Sequence, residues 1–161
     1  MQISSALLQN LAGTLNPAQY IAECGLDPFP WQEEALDPTI TRMMILAARQ
    51  SGKSTVIAGK AQHKAKYFPR SLELIICPAQ DQSKTLMKKI EDFMVYDKNL
   101  PGLVHDAVFE KEFENGSQLV ALPGSERSVR GYSGPRMIII DEAARVVDET
   151  YKAARPMMVG T

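Results

Sequence analysis

The 161-residue chain holds only two cysteines, Cys24 and Cys77, 53 positions apart. They form neither a CxxC pair nor a disulfide framework, so free thiols are expected. Histidine is as scarce: His63 and His105 have no partner at metal-ligand spacing, and surface or packing roles are expected for both. No stretch approaches the roughly 18 consecutive apolar residues needed to cross a bilayer. Met1 is followed by polar, uncharged residues, so no secretory leader is expected. Positive charge is not in excess either: 18 Lys and Arg stand against 19 Asp and Glu, a net charge of -1. That excludes a uniformly basic nucleic-acid coat. The sequence has no internal repeat and no low-complexity segment. The expectation is a soluble cytoplasmic protein with no membrane partner.

The chain does have enough apolar residues for a core, 45 % of the total. Its charge is unevenly spread. Residues 1–41 contain no Lys or Arg, whereas residues 42–89 contain ten bases and two acids. A positive middle third suits an anionic ligand. Lys60, Lys64, Lys66, Lys84, Lys88 and Lys89 also fit the wet faces of two helices.

Short helices are predicted over 4–11, 17–24 and 31–36, with Asp27-Pro28-Phe29-Pro30 as a stop before the last. Met43 to Ala47 is a compact apolar run that predicts a buried strand. A helix from Lys53 to Tyr67, a strand from Leu72 to Cys77 and an amphipathic helix from Asp81 to Tyr96 follow. Val104 to Phe113 and Gln118 to Leu122 flank Asn115-Gly116, a strong hairpin signal. Met137 to Ile140 predicts a third buried strand, with short helices from Ala143 and Glu149. The eight methionines, Met43 and Met44 among them, are expected mostly on core faces. Alternating strands and helices with continuous apolar runs argue for a parallel sheet covered on both faces.

Ala47 to Thr55 (AARQSGKST) closes one predicted strand and opens a helix. It satisfies the Gly-Lys-Ser/Thr end of the P-loop signature, although Ala47 replaces the first glycine. Gly52 lets the backbone curl with its N–H groups turned toward phosphate, and the helix start adds a favourable dipole. Lys53 reaches β- and γ-phosphates, and the Ser54 hydroxyl suits Mg²⁺. The alternative is an ordinary strand-to-helix turn. The run from Met137 to Ile140 ends in Asp141-Glu142, the pattern of a Walker B strand. Asp141 suits the Mg²⁺ side, and Glu142 suits polarising the attacking water. The alternative is a helix start carrying acids for its dipole. Together the two motifs predict a nucleotide hydrolase.

With these motifs in place, the chain resembles the ATPase domain of a tailed-phage terminase large subunit. Four segments carry the resemblance: residues 28–32 (PFPWQ), 49–55 (RQSGKST), 130–134 (RGYSG) and 138–143 (IIIDEA). The family tolerates loss of the first Walker A glycine. The resemblance implies an α/β P-loop NTPase of the additional-strand, catalytic-glutamate type. Its mostly parallel sheet is flanked by helices, with an antiparallel hairpin near 104–122. It implies a helical lead-in over 1–27 and the ATPase domain over 28–161.

The implied roles follow position by position. Gln32 meets the adenine edge, since an amide both donates and accepts, and Trp31 or Phe29 packs nearby. Trp31 has core anchoring as its alternative. Gln50, Ser51, Gly52, Lys53, Ser54 and Thr55 hold ATP, and Ser54 with Asp141 holds Mg²⁺. Glu142, Lys53 and Arg49 are the catalytic set, Arg49 toward the γ-phosphate with a surface ion pair as its alternative. Arg130 serves a neighbouring site, touches DNA or anchors its loop. The implied partners are double-stranded DNA, a portal protein, a small terminase subunit and further copies in a ring, in the bacterial host cytoplasm. The family's coupling motif and nuclease domain are absent from these residues, so weak or no turnover is expected of this chain alone. A helicase-like P-loop ATPase and a non-catalytic assembly module are the competing readings.

Overall fold

The computed structural model describes residues 11–158, so most of the helix expected over 4–11 lies outside the described residues. Helix α1 (Pro17–Glu23) starts where Asn16 accepts from the backbone N–H groups of Ala18 and Gln19 at 3.0 and 3.3 Å. That side-chain cap and Pro17 in the first turn set its boundary. Helix α2 (Pro30–Leu36) follows the Asp27–Pro30 stop, and α3 (Lys53–Tyr67) spans the predicted range. Strand β1 (Leu72–Cys77) and helix α4 (Gln80–Met94) come next.

The run predicted as one strand over 104–113 is two. Strand β2 (Leu103–Asp106) turns back into β3 (Glu110–Phe113). Ala107 and Glu110 exchange backbone hydrogen bonds around Val108-Phe109, and this tight turn breaks the run. Strand β4 (Gln118–Pro123) follows the Asn115-Gly116 turn. Gly116 sits at φ +78°, and its N–H reaches the Phe113 carbonyl at 2.8 Å. Helix α5 (Glu126–Val129), strand β5 (Met137–Ile140) and helix α6 (Asp148–Ala154) complete the elements used below, with 3-10 turns at Ala143–Arg145 and Arg155–Met158.

The five strands form one sheet in the order β2-β3-β4-β1-β5. β4, β1 and β5 run parallel, and β2 and β3 extend the sheet antiparallel. β1 is an interior strand, flanked by β4 and β5, which explains its nearly unbroken apolar run. Ile75 and Cys77 face one side with Leu119 and Ala121, under Val56, Ala61 and Ala65 of α3 and Met87 and Ile90 of α4. Leu74 and Ile76 face the other side with Val120, under Val129 and Ala154. Tyr20 and Ile21 of α1 join the first of these cores. α4 buries Ser83, Leu86, Met87, Ile90 and Phe93, the 3–4 spacing of one helical face.

Two expectations are corrected. Met43 to Ala47 is not a strand: residues 43–48 have no regular structure, and Met44 and Leu46 are 97 % and 101 % exposed. Met43 and Met44 are therefore not core residues. The physical reason is partnership. An apolar run becomes a strand only by pairing on a ladder edge, and residues 43–47 pair with none of the five strands, although β5 keeps its outer edge open. β5 is correspondingly half-buried at the edge of the sheet, not a buried interior strand.

Candidate active site

The carboxyl ends of β1, β4 and β5 share one edge of the sheet, the edge where open α/β sheets bind ligands. Helix α3 starts toward that edge. Its far end is tied to the opposite edge, where the Ser117 hydroxyl donates to the Ala65 carbonyl at 2.6 Å and Asn115 donates to the same oxygen at 2.8 Å. Fifteen helical residues span about 22 Å, so the Lys53 end returns to the carboxyl edge.

The loop before α3 curls through two left-handed residues, Gln50 at φ 61° and Gly52 at φ 89°. The Ser51 hydroxyl donates to the Ala48 carbonyl at 2.8 Å, and the Lys53 ammonium donates to the Ala47 carbonyl at 3.0 Å. Gln32 comes from α2 and is only 6 % exposed. Its Oε1 accepts from the Phe29 N–H at 2.8 Å, which ties the amide to the turn that opens α2. Its Nε2 would lie 2.5 Å from a Cβ on Gly52. A side chain there would fill the space, so only glycine fits beside this amide.

A cavity of about 220 Å³ opens between these groups, with Gln32, Gln50, Ser51, Gly52 and Thr55 in its wall beside Phe29. Six of the predicted residues, Phe29, Gln32, Gln50, Ser51, Gly52 and Thr55, thus line one cavity, and Lys53 is tied to the same loop through the Ala47 carbonyl. Trp31 lies elsewhere: it packs, half-buried, against the main core. Arg49 is exposed and has no ion-pair partner among the described residues. Ser54 is half-buried one residue into α3.

Asp141 and Glu142 stand at the end of β5 and do not line that cavity. The Asp141 N–H continues the ladder to the Ile76 carbonyl at 2.9 Å. Glu142 is left-handed at φ 47°, a strained backbone for a residue with a Cβ. Among the described residues three non-glycines have positive φ, and two of them, Gln50 and Glu142, belong to the predicted site. Such strain clusters at functional sites. The Glu142 carboxylate accepts from Gln82 Nε2 and from Arg145 Nη1, each at 3.1 Å.

Sequence reasoning missed Gln82 and Arg145. Gln82 had a usable signal, since it lies five residues beyond β1, on the same sheet edge as the motif loops. The residue set fits the implied ligands. A loop that excludes a Cβ, followed by a helix start, fits phosphate. A hydroxyl and a carboxylate, Ser54 and Asp141, supply the hard oxygens that Mg²⁺ takes. Among the described residues, no group of three His, Cys, Asp or Glu side chains is placed to hold a metal by itself.

Comparison with known proteins gives a consistent result. A comparison with curated proteins finds no match. The chain is similar in structure to the large terminase ATPase domain of Thermus phage P74-26, with a TM-score of 0.76 at 20 % identity over 89 % of this chain. An arginine-to-alanine mutant of that domain superposes with a TM-score of 0.77 at 19 % identity, again over 89 % of this chain. This chain spans 65 % and 66 % of those two. At such identities the likeness shows the fold, and the P-loop arrangement accords with it. The family model for the N-terminal part of T4likevirus-type terminase large subunits matches residues 44–159. That is well over half of the chain, which therefore belongs to the terminase large subunit family, T4likevirus-type, N-terminal.

Proposed function

We propose that this chain is the ATP-binding and ATP-hydrolysing part of a terminase large subunit that powers packaging of double-stranded DNA into a procapsid. The observation that carries the reading is the Gln32–Gly52 juxtaposition: a buried amide set against a glycine loop that leads into a 15-residue helix. The amide suits a base edge, and the loop suits phosphates. Phe29 lies beside Gln32 in the cavity wall, Trp31 supports α2 from the core side, and Gln50, Ser51 and Thr55 border the ligand. Lys53 exchanges its bond to the Ala47 carbonyl for a phosphate oxygen. Ser54 and Asp141 hold Mg²⁺, which when bound neutralises charge on the phosphate oxygens.

Glu142 takes a proton from the attacking water as its oxygen bonds to the γ-phosphorus. The bond from that phosphorus to the bridging oxygen breaks, and ADP and phosphate leave. Arg49, exposed and without an ion-pair partner among the described residues, meets charge on the γ-phosphate. The proposed partners are double-stranded DNA, a portal protein, a small terminase subunit and further copies in a ring, in the bacterial host cytoplasm. No helix among the described residues is long and apolar enough to cross a membrane.

The test is Mg·ATP titration of this chain and of Lys53→Ala, with phosphate release followed in parallel in Glu142→Gln. Binding lost in Lys53→Ala and turnover lost in Glu142→Gln support the reading. No binding by the unsubstituted chain sinks it. Binding without turnover supports the assembly-module reading. Strand separation on DNA with turnover supports the helicase-like reading.

A further inference from the structure

The side chain that meets Glu142 from another element is Gln82, 60 positions earlier in the chain. It stands in the first turn of α4, where its own N–H bonds the Ala79 carbonyl at 3.1 Å. β1 and β5 are paired neighbours, so α4, leaving the end of β1, starts beside the end of β5. Gln82 Nε2 donates to Glu142 Oε2 at 3.1 Å. The amide orientation follows from charge, because its Oε1 would repel a carboxylate. That Oε1 is buried and has no hydrogen-bond partner among the described residues. Burying an unpaired acceptor is costly, so the amide is held there against an opposing penalty.

Arg145 donates to the same Oε2, but its side chain is 64 % exposed and only three residues away on the same turn. Such exposed local pairs fix little. The Glu142 backbone is held separately, by its N–H on Asp141 Oδ1 at 3.0 Å. Both donors to the carboxylate fall on Oε2, which leaves Oε1 as the oxygen that receives a proton.

We infer that Gln82 is a positioning residue that holds the Glu142 carboxylate with Oε1 turned to the attacking water. The inference rests on the hydrolysis reading above. A base fixed in this way reaches its working geometry without searching rotamers, which raises the rate of the chemical step and leaves substrate binding alone.

The test uses this 161-residue chain with Gln82→Met, which keeps length and loses the donor. Melting temperature, Mg·ATP affinity and steady-state phosphate release are measured. The expected result is kcat lowered about tenfold, with KM and Mg·ATP affinity within about twofold of the parent. Gln82→Glu, which repels Glu142, is expected to lower kcat further at the same affinity. If Gln82→Met fails to melt cooperatively, Gln82→Asn carries the same test, because it keeps the amide and shortens its reach. Unchanged kcat in these variants, with turnover abolished in Glu142→Gln, overturns the role of Gln82 alone. A fall in affinity and melting temperature that matches the fall in kcat also overturns it, in favour of a structural role. A parent chain without turnover, or one indifferent to Glu142→Gln, overturns the hydrolysis reading and this inference with it.

Discussion

Gln32 Nε2 lies 2.5 Å from where a side chain on Gly52 would begin. The amide cannot simply step aside, because its other end is bonded to the Phe29 N–H at 2.8 Å. Gly52 also sits at φ 89°, where a Cβ adds strain. Gly52→Ala is therefore expected to displace Gln32 and weaken Mg·ATP binding at least about tenfold, a loss of about 1.4 kcal/mol. Calorimetric titration checks this. Parent-like affinity in Gly52→Ala would remove Gln32 and the loop from the binding site.

Gly59 tests packing against propensity. An alanine in a helix interior is ordinarily better than glycine by about 1 kcal/mol. Here a Cβ would meet Ile21 Cδ1 at 2.4 Å and Cγ1 at 2.6 Å. Gly59→Ala is expected to destabilise by about 1–3 kcal/mol through overpacking. Adding Ile21→Ala should recover part of that loss, because the second change removes the clashing atoms. Urea denaturation of the single and double variants measures both, and additive losses would refute the contact.

Tyr20 holds a buried polar network. Its hydroxyl donates to Asp97 at 2.8 Å and accepts from Gln62 at 2.8 Å, and Lys66 pairs with Asp97 at 2.8 Å. Tyr20→Phe keeps the ring and leaves Gln62 without its acceptor. A loss of about 1–3 kcal/mol is expected, the cost of a buried group left unpaired. A urea midpoint within error of the parent would show that water replaces the hydroxyl.

Glu73 and His63 give opposite pH dependences. Burial pushes the Glu73 carboxyl from 4.5 up to about 7, with Ser71, Lys64 and Arg136 opposing. Between those values the folded chain keeps a proton that the unfolded chain has released. This contribution to stability is full below pH 4.5 and is lost as pH rises to 7, by about 3 kcal/mol in all. Burial lowers His63 from 6.5 to about 4, so its contribution is full above pH 6.5 and is lost as pH falls. His63 Nε2 lies 2.8 Å from the Gly13 carbonyl, which requires the ring to donate there. In the overlap the two slopes oppose. Glu73→Gln is expected to be more stable than the parent at pH 7 and to gain stability as pH rises from 4.5 to 6.5. Urea midpoints across that range decide it, and an unchanged pH slope would refute the buried-carboxyl account.

Much of the architecture is legible in short stretches. The helix over Lys53–Tyr67 and the strands over Leu72–Cys77 and Met137–Ile140 have the predicted bounds. Each is marked by an apolar pattern of one period and by a glycine or proline at its border. Asn115-Gly116 marks its hairpin because a left-handed turn needs such residues. The Val104–Phe113 run was not divisible in this way. Val108-Phe109 is a turn with no turn residue in it, and only pairing between β2 and β3 makes it one.

By itself the sequence determined the type and bounds of the elements over 53–67, 72–77 and 137–140, and it supplied the chemistry proposed for Gly52, Lys53, Asp141 and Glu142. These depend on sterics and burial periodicity within a few residues. The tertiary structure alone decided which edges pair and which side chains meet. Met43–Ala47 has a strand's composition and stays exposed, because it pairs with none of the five strands. Gln82 reaches Glu142 because two paired strands end side by side. Gln32 reaches Gly52 because α2 packs on α3. Contacts between distant positions depend on the closure of the whole sheet, and no local pattern encodes them.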